Sequence, residues 1–442
     1  MRIEPVRAKC GAITARVNNG VKDFFLHSAY DPVKEAVKFI ANYNLSTGAT
    51  VIVYGVGLGY HIREVLTRIG PAGQLILFQI GKDFFRKVTT ITELSDIFND
   101  PRVTAIISDD IGKLARELAF YLGELIKCQG QLIVHRPSLE LLPSSAVEIK
   151  QALEEWETAK STQQRFSPLL LENLKLNIDY CRGLPRVEKL FGMFKAIPTI
   201  LAAGGPSLDN NLENLRLFRE RNQGLIIAVG TSLKALSARG VIPHLAIITD
   251  PQAIVQGQVI GLGLNTPLII LPTVHPVVFE TYPGPKILAC QEGMDGINEL
   301  FADTSILVET GGSVATTTLD IAIRMGVNPL IFVGLDLAYP GGKTHASNTM
   351  YQHIEGDLRM TNQYLRSVSN NRGEEVGTTR VFDIYRKWIE ERVSRENKRK
   401  FYNTSFDGAA IKGTSVMQLA GIINKLPNLS GDLDAIIRKL IS

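Results

Sequence analysis

Short hydrophobic runs alternate with amphipathic stretches through the middle of the chain, and glycine or polar residues follow each run. Such runs occur at residues 199–203, 225–229, 245–248 and 330–333. Apolar runs of this length, bounded by turn residues, are typical of strands that are buried on both faces. The stretches between them, such as residues 212–220, carry apolar residues at helical spacing. This alternation predicts a doubly wound α/β sheet with a crevice of nucleotide size.

A second α/β pattern lies near the start of the chain. The apolar run 50–54 leads into Gly55-x-Gly57-x-Gly59, which resembles the glycine turn of Rossmann-like methyltransferases. In that turn an acidic residue at the end of the next strand holds the ribose hydroxyls, but Gln79 stands at this position. A glycine motif without its partner acid is a weak nucleotide signal. We therefore expect a Rossmann-like domain, and the missing acid favours glycines that serve only the turn, without a cofactor. The alternative is a bound ligand whose hydroxyl the Gln79 amide would hold.

Three regions follow from these patterns. Residues 1–160 are expected to form the N-terminal Rossmann-like domain. Residues 161–350 are expected to form the central catalytic domain, with a helical lead-in at 161–195. Residues 351–442 are more polar and are expected to be mainly helical, with residues 386–400 forming a solvated helix. The predicted fold class is thus α/β, with two doubly wound domains and a C-terminal helical region.

Composition narrows the possible classes of protein. The chain has 442 residues and a net charge of +4, which is small for this length and argues against dedicated nucleic-acid binding. No apolar run approaches the roughly 20 residues that span a bilayer. The four cysteines are scattered and form no Cys-x-x-Cys pair, so they suggest neither a zinc site nor a disulfide framework. We expect a cytoplasmic enzyme with no membrane insertion and no metal site.

Polar residues at the predicted strand ends form the candidate site. Because ligands bind beyond the carboxyl ends of strands in open α/β sheets, these residues are expected to meet the donor substrate. They are Gly204, Gly205, Pro206, Ser207, Thr231 and Asp250, followed later by Tyr339, Lys343 and Thr344. Asp250 is a single carboxylate, whereas hard divalent cations prefer several oxygen ligands.

Gly311, Gly312 and Ser313 precede an amphipathic stretch and are expected to leave backbone N–H groups free at a helix start. The helix dipole favours an anion such as phosphate at that position. Asp336 and His345 follow the next strand, and each is a candidate general base. A histidine can accept a hydroxyl proton near neutral pH, and Asp336 could compete for this role or orient His345.

Several segments resemble the bacterial motility-associated factor family of flagellin glycosyltransferases. Residues 204–215 (GGPSLDNNLENL), 228–251 and 310–339 resemble its central domain, and Thr344-His345-Ala346 follows in the same order. Residues 51–66 resemble its N-terminal Rossmann-like domain, and residues 403–413 resemble its C-terminal segment. The Gly-Pro-Ser turn and the later Gly-x-Asp strand end also resemble bacterial sialyltransferases, so the central domain is expected to be sialyltransferase-like.

This resemblance implies a glycosyltransferase that moves a nonulosonic acid of the pseudaminic or legionaminic type. The donor would be a CMP-sugar, the acceptor a serine or threonine of flagellin, and no metal or other cofactor would be required. The central domain also resembles archaeal 6-hydroxymethylpterin diphosphokinase, which would need ATP and Mg²⁺. A third possibility is a non-catalytic assembly factor that binds flagellin.

Overall fold

A computed structural model describes residues 1–127, 130–291, 307–349 and 365–442. The chain divides into an N-terminal unit, Met1–Gln163, and a C-terminal unit, Gln164–Ser442. The predicted boundary at residue 350 lies outside the described residues.

The N-terminal unit contains two sheets. Its strands are β1 (Arg2–Arg7), β2 (Ile13–Asn18), β3 (Asp23–Phe25), β4 (Thr50–Tyr54), β5 (Gln74–Ile80), β6 (Val103–Ser108) and β7 (Gln131–Val134). Its helices are Pro32–Ala41, Tyr60–Ile69, Lys82–Ile91, Ser95–Phe98, Ile111–Lys127 and Arg136–Leu139, and the helix Val147–Cys181 contains the boundary between the units. Strands β1, β2 and β3 are antiparallel. The other four are parallel in the order β6-β5-β4-β7, so the winding reverses between β4 and β7.

The C-terminal unit is built around a larger sheet. Its strands are β8 (Thr199–Ala202), β9 (Leu225–Val229), β10 (Leu245–Ile248), β11 (Leu268–Ile270), β12 (Lys286–Leu288), β13 (Cys290–Gln291), β14 (Leu307–Val308), β15 (Leu330–Val333), β16 (Leu365–Ser369), β17 (Glu375–Thr379), β18 (Phe401–Asn403) and β19 (Ser415–Val416). Its helices are Leu212–Glu220, Leu233–Ser237, Gln256–Val259, Val277–Thr281, Val314–Met325, Arg380–Ser394, Leu419–Ile423 and Leu433–Ile441.

Eight parallel strands form this larger sheet in the order β12-β11-β10-β9-β8-β15-β18-β19. The chain enters at β8, winds outward to β12, and then returns to place β15 on the other side of β8. The topological switch point therefore lies between β8 and β15, and all eight carboxyl ends face the same edge. The predicted doubly wound α/β class is confirmed for both units.

The central strands are buried because helices cover both faces of the sheet. Leu201 and Ile227 point to one face, where they pack with helix Val314–Met325. Their neighbour Ile200 points to the other face, where it packs with helix Leu212–Glu220. Because successive strand residues alternate between faces, a strand covered on both sides is apolar throughout. This explains why the sequence shows continuous hydrophobic runs at these positions.

Two of the strands in residues 365–442, β18 and β19, belong to the eight-stranded sheet, whereas β16 and β17 form a separate antiparallel pair. Helices make up most of the regular structure of these residues, as predicted, but β18 pairs in parallel with β15 and β19 continues from β18. Three residues are too few for β18 to show a period in the sequence. The basic run 386–400 is not a simple solvated helix, because Arg392 is buried and its guanidinium lies 3.0 Å from the Asp320 carboxylate.

Candidate functional site

Two turns flank the switch point of the eight-stranded sheet. Gly204–Ser207 follow β8, and Gly334–Asp336 follow β15. The Gly205 N–H donates to the Gly334 carbonyl at 2.8 Å, which ties the turns together. A Cβ at Gly205 would overlap the Asp336 carboxylate, so this close approach requires glycine.

The Asp336 carboxylate joins three strand ends. One of its oxygens accepts hydrogen bonds from the N–H and the hydroxyl of Ser207, both at 3.0 Å. Its other oxygen accepts from the hydroxyl of Ser405, which follows β18. Asp336 is only 2% exposed, and burial raises its pKa although the hydrogen bonds from Ser405 and Ser207 oppose this. Both oxygens are engaged, so the carboxylate is arranged to hold the turns in place.

The Gly204–Ser207 turn leads into a 3-10 turn, Pro206–Asn211, before helix Leu212–Glu220 begins. The Ser207 hydroxyl is therefore not a helix cap. It donates to Asp336, and the Ser207 carbonyl accepts from the Asn211 side chain at 2.8 Å. This serine fixes the shape of the turn.

The end of β9 lies directly against the glycine turn. A Cβ at Gly204 would lie 2.6 Å from the Thr231 hydroxyl oxygen, so Thr231 packs against the bare backbone. Thr231 is half-buried, whereas Ser232 is buried and its hydroxyl donates to the Ala202 and Val229 carbonyls. Thr231 is thus the residue of this pair that remains available to a ligand.

The loop after β15 folds back onto the glycine turn. The Ala346 N–H donates to the Gly204 carbonyl at 2.9 Å. The next residue, Ser347, donates through its N–H and its hydroxyl to the Asp209 carboxylate, at 3.0 and 2.9 Å for the same oxygen. These bonds place His345 beside the turn.

His345 is half-buried, and burial lowers the pKa of its imidazole. It is therefore neutral near neutral pH, as a general base requires. Thr344 is half-buried and Lys343 is exposed on the same loop. The structure thus brings His345, Thr344 and Lys343 to the same edge as the Gly204–Ser207 turn.

Tyr339 lies against strand β17 and the start of helix Arg380–Ser394. Its ring stacks on Phe382 with 5.3 Å between the ring centroids, and its N–H donates to the Gly377 carbonyl at 2.9 Å. Burial raises the pKa of its phenol, while a hydrogen bond with the Thr379 side chain lowers it. The hydroxyl predicted to meet the donor therefore already has a protein partner.

The prediction of free N–H groups at Gly311–Ser313 is wrong for two of the three residues. The N–H groups of Gly311 and Ser313 both donate to the Thr316 hydroxyl, at 2.9 and 3.2 Å. Ser313 in turn accepts from the Thr316 N–H, which completes a capping box at the start of helix Val314–Met325. A Cβ at Gly311 would overlap the ring of Trp388, so this residue is also covered.

Asp250 belongs to a group that the sequence did not reveal. The His275 N–H, beyond β11, donates to the Asp250 carbonyl at 3.1 Å. Burial raises the pKa of the Asp250 carboxyl, while hydrogen bonds from Gln252 and the nearby His275 lower it. Burial, and to a smaller extent the same carboxylate, raises the pKa of Tyr385. Asp250, His275 and Tyr385 therefore form a second group of polar residues at this edge of the sheet.

In the N-terminal unit, the side chain of Gln79 forms a hydrogen bond with the glycine turn Gly55–Gly59. The Gln79 amide oxygen accepts from the Val56 N–H at 2.9 Å, and the amide nitrogen donates to the Ile80 carbonyl at 2.6 Å. Gln79 is buried and braces the turn. The amide oxygen and the amide nitrogen of Gln79 therefore both have hydrogen-bond partners within the protein.

Known proteins define the class of fold. Residues 170–342, which carry the turns after β8, β10 and β15, match the family described as 6-hydroxymethylpterin diphosphokinase MptE-like. The chain also superposes on the structure of a MAf glycosyltransferase from Magnetospirillum magneticum AMB-1. The TM-score is 0.52 at 16% identity, over 100% of this chain and 74% of that chain. The predicted similarity to both families is confirmed, and at this identity the superposition establishes a shared fold.

A further relative gives no information on function. It is an uncharacterized protein of Treponema pallidum (strain Nichols), 22% identical over 150 residues. The match covers 27% of this chain and 38% of that protein, so most of the relative's length lies outside the match. Separately, none of the helices within the described ranges has the length and apolar character needed to cross a membrane.

Proposed function

We propose that the protein is a glycosyltransferase that moves a nonulosonic acid, of the pseudaminic or legionaminic type, from a CMP-sugar to serine or threonine of flagellin. The observation that carries this proposal is the set of joined turns at the switch point, with the loop of His345 folded over Gly204. Such crevices bind nucleotides in α/β proteins. The shared fold supports the transferase class, while the sequence resemblance suggests the donor, the acceptor and a cytoplasmic reaction.

The proposed reaction is a displacement at the anomeric carbon of the sugar. The acceptor hydroxyl oxygen forms a bond to this carbon, while the bond from the carbon to the phosphate oxygen breaks. CMP leaves with the electron pair, and His345 takes the proton of the hydroxyl. Of the two candidate bases, His345 is favoured because both Asp336 oxygens already accept hydrogen bonds. Asp336 then acts as a positioning residue.

The donor is expected to lie along the carboxyl edge from β15 to β10. The backbone of Gly204 and Gly205 allows the nucleotide to approach closely, and Thr231 bounds the same space. Lys343, exposed on the loop that leads to His345, is the cation suited to the donor's carboxylate or phosphate. Asp250 would bind ribose or sugar hydroxyls as a hydrogen-bond acceptor.

A second function follows from the family match over residues 170–342. An MptE-like diphosphokinase would transfer pyrophosphate from ATP to a pterin, and such chemistry uses divalent cations held by several oxygens. Under this alternative, Asp250 would need further oxygen ligands from the substrate phosphates. The two functions therefore differ in their nucleotide and in their need for Mg²⁺.

Nucleotide binding separates these possibilities. Thermal unfolding would be followed with CMP, CTP, ATP or S-adenosylmethionine, each with and without Mg²⁺. We expect CMP to stabilise the protein without metal, by about 2.7 kcal/mol at a hundredfold excess over its Kd. Thr231→Val keeps the side-chain shape but removes the hydroxyl, and it should weaken this effect. Stabilisation by ATP only with Mg²⁺ would favour the diphosphokinase, and no response to any nucleotide would favour a flagellin-binding assembly factor.

The pH dependence of transfer tests His345 as the base. Burial lowers its pKa below the ordinary value of 6.5, so the neutral form persists to lower pH. The value of kcat/KM, measured from about pH 4.5 to about pH 8, should fall only below pH 6.5, as the imidazole becomes protonated. His345→Ala should remove this acidic limb together with most of the activity. An unchanged limb in the variant would assign the titration to another group.

A further inference from the structure

Three imidazoles meet at the switch point of the N-terminal sheet. His27 precedes helix Pro32–Ala41, His61 lies in helix Tyr60–Ile69, and His135 follows β7. They are only 3%, 1% and 5% exposed. The distances between ring centroids are 4.4 Å for His61 and His135, 4.7 Å for His27 and His135, and 5.6 Å for His27 and His61. One ring nitrogen from each histidine lies within 4.8 Å of the other two.

An outer ring of partners orients these side chains. His27 Nδ1 lies 3.3 Å from the Glu35 carboxylate, and His61 Nε2 donates to the Gly55 carbonyl at 2.9 Å. His135 Nδ1 pairs with the Ser138 hydroxyl at 2.7 Å. Histidines that bind metals usually hold their second nitrogen in this way, through a carboxylate, a carbonyl or another polar group.

The inward side of the cluster offers nitrogen lone pairs. His61 Nε2 carries the proton given to Gly55, so His61 Nδ1 is the acceptor atom, and it has no hydrogen-bond partner within the described ranges. His27 Nε2 also faces inward. There it accepts from the Leu58 N–H at 3.0 Å, a bond that an ion would have to replace.

The three rings pack against the bare backbone of Gly57. At Gly57 a Cβ would lie 2.6 Å from His27 Nε2 and 3.0 to 3.1 Å from ring carbons of His135 and His61. The rings of His61 and His135 are stacked, with 6° between their planes. His135 also bonds to the Leu26 carbonyl. Coordination by all three residues therefore requires the His135 ring to turn out of this stack and to release Leu26.

The group that could hold an ion consists of three imidazoles and contains no carboxylate. Neutral imidazole nitrogens suit zinc and similar transition metals, whereas calcium and magnesium prefer oxygen. An unpartnered buried nitrogen among three imidazoles thus matches the ligand set of one class of ion.

We propose that His27, His61 and His135 form a binding site for one divalent transition-metal ion of the zinc class. With three protein ligands, a water molecule would complete a tetrahedral set. Glu35 is the neighbouring carboxylate that offsets part of the charge through His27. All residues of this site belong to the N-terminal unit, whereas the proposed transferase residues belong to the C-terminal unit.

The test is metal binding by the full-length protein after removal of metals with a chelator. Titration with Zn²⁺, and with Co²⁺ as a visible probe, should give one ion per chain and the absorption bands of tetrahedral Co²⁺. His61→Gln is the matched variant, because its amide can still donate to the Gly55 carbonyl while the Nδ1 lone pair is lost. It should bind more than about 100-fold more weakly. His275→Gln, in the C-terminal unit, should keep the ion.

A second variant keeps the test decisive if His61→Gln does not fold. The side chain of Glu35 is 41% exposed, so we expect Glu35→Gln to fold. This change should weaken Zn²⁺ binding about tenfold. The proposal is overturned if the wild-type protein binds neither ion, or if the folded His61→Gln or Glu35→Gln protein binds as tightly as the wild type.

Discussion

Replacing Asp336 by asparagine is expected to abolish CMP binding together with transfer. It should also lower the free energy of unfolding by about 1–3 kcal/mol. The amide can accept on one side only, so its NH₂ group must face either the donors of Ser207 or the hydroxyl of Ser405. Either choice leaves a buried donor without an acceptor. The turns after β8, β15 and β18 then lose the bond that joins them.

Measuring both the CMP affinity and the kcat of Asp336→Asn separates a positioning role from a catalytic one. If Asp336 were the general base, Asp336→Asn would bind CMP normally and would lose only kcat. Asp407→Asn is the control, because this carboxylate lies close by but is exposed and pairs with Arg372 at the surface. A surface ion pair of this kind contributes about 0–1 kcal/mol, so the control should keep both stability and activity.

Adding one methyl group at Gly205 is expected to have the second large effect. The Cβ would overlap the Asp336 carboxylate and the Gly334 carbonyl, both of which are fixed by their own contacts. Gly205→Ala should therefore destabilise the protein by about 1–3 kcal/mol. It should also weaken CMP binding by about tenfold or more, which corresponds to about 1.4 kcal/mol.

Gly421→Ala is the matched control in the same unit. Gly421 lies within helix Leu419–Ile423, and the nearest atom to its new Cβ would be Met417 Cγ at 4.0 Å. Alanine favours a helix over glycine by up to about 1 kcal/mol, so this variant should be as stable as the wild type or more so. Equal behaviour of the two variants would contradict the close approach inferred at Gly205.

The sequence predicts the central sheet and the turns after β8 and β15 because those signals are local. The glycine turn after β8 and Asp336 after β15 each follow an apolar run directly, and the parallel sheet brings them to one edge. Ser405 could not be found in this way, because it follows a three-residue strand and meets Asp336 only through the pairing of β18 with β15. His275 and Tyr385 likewise join Asp250 from separate elements.

The error at Gly311–Ser313 has a different cause. The glycine pair and the helix start are correctly predicted, but the Thr316 hydroxyl takes the N–H groups that a ligand would need. Three histidines at positions 27, 61 and 135 carry no spacing signal, because the fold of the N-terminal unit alone brings them together. Prediction therefore fails where a side chain competes for a backbone group or where contacts are distant in the chain.

The most direct measurement is transfer to flagellin with purified components. Flagellin would be incubated with the protein and a CMP-activated pseudaminic or legionaminic acid, without added metal, and its peptides analysed by mass spectrometry. The proposed function predicts one added sugar on each modified serine or threonine, and no addition with His345→Ala. It would be contradicted if flagellin stayed unmodified with both donors while the protein transferred pyrophosphate from ATP to a hydroxymethylpterin in the presence of Mg²⁺.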